Sequence, residues 1–121
     1  MRNLLFIFIG GGLGSVLRFL ISGFTQKIWS VGHFPLGTFI VNMTGCFLIG
    51  FLSAYFLKVD NAFKYFLIIG LCGGYTTFST FSVENLSLWQ NSNYGILVLY
   101  IFLSLMVGMA MVFLGFSLFK D

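Results

Sequence analysis

Four long stretches almost without charge set the terms on which this chain can fold. Leu36 to Leu57, Tyr65 to Val83 and Tyr94 to Phe119 contain no Asp, Glu, Lys or Arg, and Leu4 to Phe24 is interrupted only by Arg18. A helix crosses a bilayer with about 20 mostly apolar residues, so each stretch is long enough for one crossing. Lipid offers no partner to an exposed peptide group, which leaves helices as the way to span it with segments of this kind. The spans, at about 4–24, 36–57, 65–84 and 94–119, use up nearly all of the 121 residues. The expectation is a single all-α integral membrane domain of four transmembrane helices, with both termini on one side.

Composition agrees. Charged residues make up 7% of the chain and apolar ones 59%, with a mean hydropathy of +1.02. An ordinary soluble domain carries about 25% charge. A small soluble fold buries only about two-thirds of its chain surface and could not hide this much apolar area. A soluble enzyme, a nucleic-acid module and a disordered tail are excluded, and the partner solvent is the lipid bilayer. The links carry the polar residues: Gln26, Lys27, Trp29 and His33 before Pro35, then Lys58, Asp60, Asn61 and Lys64, then Trp89, Gln90 and Asn91. Both Trp residues fall near span ends, where amphipathic rings favour the headgroup level. Arg2 followed by Leu4 to Ile9 also resembles the start of a signal peptide, but the run continues through a Gly-rich stretch and three more spans follow. Arg2, Lys58, Lys64 and Lys120 face Arg18 and Lys27 across the membrane, a modest bias toward cytoplasmic termini that leaves insertion in both orientations open.

The small residues speak to packing. Gly10 and Gly14, Gly70 and Gly74, and Ser104 and Gly108 form small-xxx-small pairs in spans 1, 3 and 4. Helices in lipid rely on such pairs for close contact. Their number points to oligomerisation as well as to internal packing. Cys46 and Cys72, inside spans, read as small apolar fillers, and His33 as an interfacial side chain. Asn42-Met43-Thr44 matches a glycosylation acceptor, but at mid-span it is out of reach of that machinery.

Polar groups at membrane depth are costly and therefore readable. Arg18 either snorkels to an interface or forms a cationic vestibule for an anion. Thr38, Asn42 and Gly45 share a helical face. Asn42 is either interhelical glue or a ligand donor with two N–H groups. Tyr100 and Ser104 put two hydroxyls on one face of span 4. Span 3 holds the densest signal, Gly73-Gly74-Tyr75-Thr76-Thr77-Phe78-Ser79-Thr80-Phe81-Ser82. Two adjacent Gly and a run of hydroxyls that compete for backbone partners predict a break in the helix near its middle. Such backbone is tolerated in a membrane only when buried in protein or lining a cavity, and its freed carbonyls can hold a cation. Phe78 and Phe81 flank Ser79 and Thr80, and the positive edges of their rings can face an anion without formal charge.

The absences count too. No Asp or Glu lies near the centre of a span, and Glu84 stands at the end of span 3. Proton-coupled pumps use buried carboxylate or His relays. A small four-span multidrug-type exporter is the rival reading, but it needs a carboxylate in the first span, and span 1 has none. A scaffolding membrane protein would explain the Gly pairs but not the hydroxyl–Phe cluster. No set of catalytic groups is visible, so the chain reads as no enzyme.

These residues resemble the Fluc, or CrcB-type, family of fluoride channels over essentially the whole chain. The motifs are Gly11-Gly12-x-Gly14-Ser15-x-x-Arg18-Phe19, Pro35-x-Gly37-Thr38-x-x-x-Asn42-x-x-Gly45, and Gly73-Gly74-x-Thr76-Thr77-Phe78-Ser79-Thr80-Phe81-Ser82-x-Glu84. The resemblance implies an antiparallel dual-topology dimer in the plasma or inner membrane, with two pores that passively export fluoride and relieve its toxicity. It implies a pore lined by Phe78 and Phe81 with Ser79 and Thr80, Asn42 as the donor to fluoride, and Tyr100 and Ser104 as a hydroxyl track. It implies a structural sodium ion at the dimer interface, held by the carbonyls of Gly73 and Thr76. Arg18 and Glu84 match charged family positions flanking the path. The partner subunit would be a second copy, or an oppositely oriented paralogue as the uneven charge count allows. One departure is Gly108, where some members carry a further hydroxyl.

Overall fold

The computed structural model describes residues 1–29, 32–58 and 61–120, the last without the side chains of Phe119 and Lys120. Asp60 of the second link therefore lies outside the described residues. Helices α1 (Arg2–Ile28), α2 (Leu36–Lys58) and α5 (Tyr94–Lys120) are continuous. Between α2 and α5 the chain forms a π-helical segment (Tyr65–Cys72), a short turn of helix α3 (Gly73–Tyr75) and helix α4 (Ser79–Gln90). Among the described residues, four helical stretches are long and apolar enough to cross a membrane: Arg2–Ile28, Leu36–Lys58, Tyr65–Gln90 and Tyr94–Leu118. No strand occurs among the described residues.

The helix ends follow from local chemistry. Pro35 precedes α2, and the Gly37 N–H, which has no helical acceptor at a helix start, is met by Gln26 Oε1 of α1 at 3.0 Å. That bond closes the first link from the α1 side. Before α5, Ser92 takes a left-handed turn conformation (φ 61°) and Trp89 packs edge-on against Tyr94, ring centres 5.1 Å apart. Glu84 does not end the third span. Its carboxylate is satisfied by neighbouring helices, as described below, and α4 continues to Gln90.

The third span breaks where the Gly and hydroxyl pattern placed it. Thr76 leaves the helix with ψ 153°, and α4 begins at Ser79. The Thr76 hydroxyl bonds back to Cys72 O at 3.0 Å, ending the first half. Thr77 Oγ1 accepts from the Thr80 N–H at 3.2 Å and starts the second, the capping role that hydroxyl side chains serve at helix N-termini.

Two backbone-to-backbone approaches hold the helices together. α1 lies against the first half of span 3, where a Cβ on Gly10 would come within 2.9 Å of Leu71 N and one on Gly74 within 3.0 Å of Gly11 Cα. α2 lies against α5, where a Cβ on Gly50 would strike the Val112 carbonyl and one on Gly115 the Phe47 carbonyl. Side chains there would force the helices apart and cost the dispersion contacts that hold them in lipid. The core between the pairs contains Val41, Met43, Ala54, Cys72, Tyr75, Leu88 and Tyr100, with Thr38 as its buried polar residue. Much of the outer surface is apolar, including Phe8, Phe19, Phe24 and Phe113, as a surface turned to acyl chains or to another apolar protein requires.

Candidate functional site

The break at Thr76–Phe78 is the centre from which the polar groups can be followed. Asn42, on α2, grips it with both ends of its amide. Its Nδ2 donates to Thr77 O at 3.2 Å and its Oδ1 accepts from the Thr77 N–H at 2.9 Å. The sequence left two roles for Asn42, and the first is plainly present: the amide joins α2 to the broken span. Nδ2 carries a second N–H besides the one given to Thr77 O, because a primary amide has two.

This grip has a consequence for neighbouring carbonyls. In an unbroken helix the Thr77 N–H would bond to Gly73 O and the Thr80 N–H to Thr76 O. Here those donors go to Asn42 Oδ1 and Thr77 Oγ1. The carbonyls of Gly73 and Thr76 thereby lose these two α-helical donors. Gly74 O, next in the row, accepts from Arg18 Nε at 3.3 Å. Arg18 thus reaches the break, and its contact there distinguishes it from a side chain that only snorkels.

A cavity of about 270 Å³ opens beside the break, lined by Asn42, Thr76, Thr77, Phe78, Phe81 and Ser104, with Met43, Cys46, Ile49 and Leu105 completing the wall. The Phe78 and Phe81 rings stand 5.9 Å apart at 40°. Phe78 is 79% exposed in the single chain, so its ring is covered only by lipid or a partner. Among the described residues, no charged side chain lines this cavity. Cys46, read from sequence as a filler, lies in its wall, whereas Cys72 is buried; both thiols are free. Gly108 faces the Met43 methyl at 3.5 Å and Cys46 Sγ at 3.7 Å, distances taken from a Cβ built on it. Beyond Ser104, sulfur and methyl groups occupy this helix face.

The structure places the remaining sequence candidates elsewhere. Thr80 lines a second cavity of about 310 Å³ with Arg18, Phe19, Ser22, Gly23, Thr38 and Thr77. Thr77, held by Asn42, borders both cavities. Ser79 Oγ lies 3.3 Å from Thr77 Oγ1. Tyr100 lines neither cavity. It is fully buried, and its hydroxyl donates to Glu84 Oε1 at 2.8 Å, while Thr38 Oγ1 donates to Glu84 Oε2 at 2.7 Å. Glu84 therefore ties α2, α4 and α5 together, a role its place at the end of an uncharged run did not announce. It also lines a third, small cavity of about 130 Å³ with His33, Pro35, Ser87, Leu88, Asn91 and Asn93. Asn85, not singled out from sequence, donates from Nδ2 to Phe81 O at 3.0 Å within α4.

Comparison with known proteins gives a consistent picture. The family described as "CrcB-like protein, Camphor Resistance (CrcB)" matches residues 5–116. A protein of Azobacteroides pseudotrichonymphae named "Fluoride-specific ion channel FluC" is 48% identical, over 98% of this chain and 96% of its own length. Proteins with the same name from Flavobacterium psychrophilum and a Hydrogenobaculum species are 44% and 46% identical, over 100% and 93% of this chain and 99% and 93% of their own lengths.

Proposed function

The chain belongs to the CrcB-like family, and from that membership we propose that it is a fluoride channel, a multi-pass protein of the cell membrane that lets fluoride leave the cytoplasm passively. The observation that carries the reading furthest is the cavity at the break. An amide N–H, hydroxyls and two Phe rings converge there without a formal charge. Fluoride is small and strongly hydrated. A narrow slot lined by hydrogen-bond donors and positive ring edges compensates for its lost water, and the larger chloride fits the same slot poorly. Arg18 and the hydroxyls of the second cavity supply a polar, electropositive approach to Thr77. No chemical step is needed, so the protein conducts rather than catalyses. The multidrug-exporter reading lacks support, since α1 carries no carboxylate and the relatives named above are channels.

The working unit on this reading is an antiparallel pair of subunits, a homodimer or a pair with an oppositely oriented paralogue. Support comes from the exposed Phe78 ring, which a second subunit would cover, and from the exposed Gly73. The carbonyls of Gly73 and Thr76 are hard oxygen donors suited to a sodium ion. Two per subunit become four across a two-fold axis, nearer to what a hard cation requires.

Purified protein in liposomes loaded with fluoride tests the function. Rapid fluoride efflux without chloride efflux is expected. Equal rates for the two anions would sink the proposal.

A further inference from the structure

Five aromatic rings form a continuous series from the break through the first link to the start of α2. Phe78 meets Phe81 at 5.9 Å, Phe81 meets Tyr100 at 4.9 Å, Tyr100 meets Phe34 at 5.3 Å, and Phe34 meets Phe39 at 5.7 Å. Phe78 and Phe81 line the cavity at the break. Phe34 is outside it, in the link just before Pro35. We propose that Phe34 is a positioning residue of the pore, which holds the Tyr100 ring against Phe81 and thereby sets the place of Phe81 in the cavity wall. The inference rests on the fluoride-channel reading and adds to it a residue that touches no part of the cavity at the break.

The geometry gives the reason. Tyr100 is fully buried and held at two points, by its hydroxyl on Glu84 and by its ring. One face of that ring environment is Phe81, tilted at 48°, and another is Phe34, which stands nearly perpendicular at 80°. An edge-to-face contact is directional, so it fixes where the Tyr100 ring sits as well as how tightly it packs. Phe34 is itself braced by Phe39 at 70°. Its chain neighbours His33 and Pro35 line the small cavity over Glu84, so the link is seated on the same group of residues. An aliphatic side chain of similar bulk would fill the space but supply no ring edge, and Tyr100 could then shift away from Phe81. Close-packed interiors transmit such shifts to neighbouring side chains.

The test is the fluoride current through single channels in planar bilayers, a quantity independent of how much protein folds. The variants are Phe34→Leu, Phe34→Met and Phe34→Tyr in the full chain. Phe34→Leu and Phe34→Met should lower the unitary fluoride current by about two- to tenfold, the factor one ring contact of this kind carries. Phe34→Tyr, which keeps the ring edge, should restore it. An unchanged unitary current in both aliphatic variants, with or without fewer channels, overturns the proposal. So does loss of folded protein in both, which would make Phe34 a residue of folding alone. Absence of fluoride current in the unaltered protein would instead overturn the channel reading, so the two failures are distinguishable.

Discussion

At the scale of single residues, the polar groups of this membrane protein divide by what they touch. Asn42 and Thr77 share two hydrogen bonds, Glu84 accepts two, and Phe78 and Phe81 face a cavity without charge. Phe81→Ile keeps bulk but removes the ring edge, and fluoride efflux from liposomes should fall by at least about tenfold. Efflux at the unaltered rate would remove the ring edges from the mechanism. For Glu84, the two hydroxyl donors decide the outcome. Glu84→Gln keeps an oxygen for one hydroxyl and an amide N–H that the other can accept. Glu84→Ala leaves Thr38 and Tyr100 unpaired in the interior. Loss of partners for buried hydroxyls costs about 1–3 kcal/mol, so thermal unfolding in detergent should separate the alanine variant clearly from the glutamine one.

At the scale of elements, the helices pack through backbone and the third span works through its break. Of the small-residue pairs visible in the sequence, Gly10–Gly14 and Gly70–Gly74 meet each other across α1 and span 3. Ser104–Gly108 does not mark a close backbone contact. The tight approach of α5 is at Gly115, opposite Gly50 of α2, two glycines that the spacing rule did not single out. Gly115→Ala should therefore destabilise by about 1–3 kcal/mol through overpacking, read as a lower midpoint of thermal aggregation. Gly108→Ala should leave that midpoint nearly unchanged, since an added methyl meets the Met43 methyl and the Cys46 sulfur at ordinary contact distance. The break has its own test. If the carbonyls of Gly73 and Thr76 hold sodium, replacing sodium by N-methylglucamine on both sides should reduce fluoride efflux, and unchanged efflux would leave those carbonyls without that role.

At the scale of the whole molecule, the proposed pairing of subunits concerns what covers the exposed surface of the single chain. Phe78 lines its cavity and yet stands exposed, and α1 presents a row of apolar side chains to the outside. An antiparallel pair predicts that the C-terminus of the protein expressed alone is found on both faces of the membrane. A tag at that end should be labelled in part from each side by impermeant reagents. Labelling from the cytoplasmic side only, together with no efflux, would point to an oppositely oriented paralogue as the required partner. The four-to-two split of Lys and Arg between the two sides expected from the sequence makes this a real question, because a weak bias orients a chain weakly.

The amino-acid sequence by itself determined the solvent, the number of spans and the position of the break. Charge and unpaired backbone are costly in lipid, so uncharged runs of sufficient length are read as helices, and adjacent Gly with clustered hydroxyls weaken one. The motif pattern also carried the family. The tertiary structure alone decided who holds whom. Asn42 closes on Thr77, Glu84 collects Thr38 and Tyr100, Arg18 meets Gly74, and Phe34 reaches the Phe pair through Tyr100. Each of these contacts joins residues far apart in the sequence, from different spans or, for Phe34, from a link and a span. Periodicity along a helix tells which residues share a face but not which face of which neighbour it meets, because in lipid that choice rests on close packing and hydrogen bonds between helices.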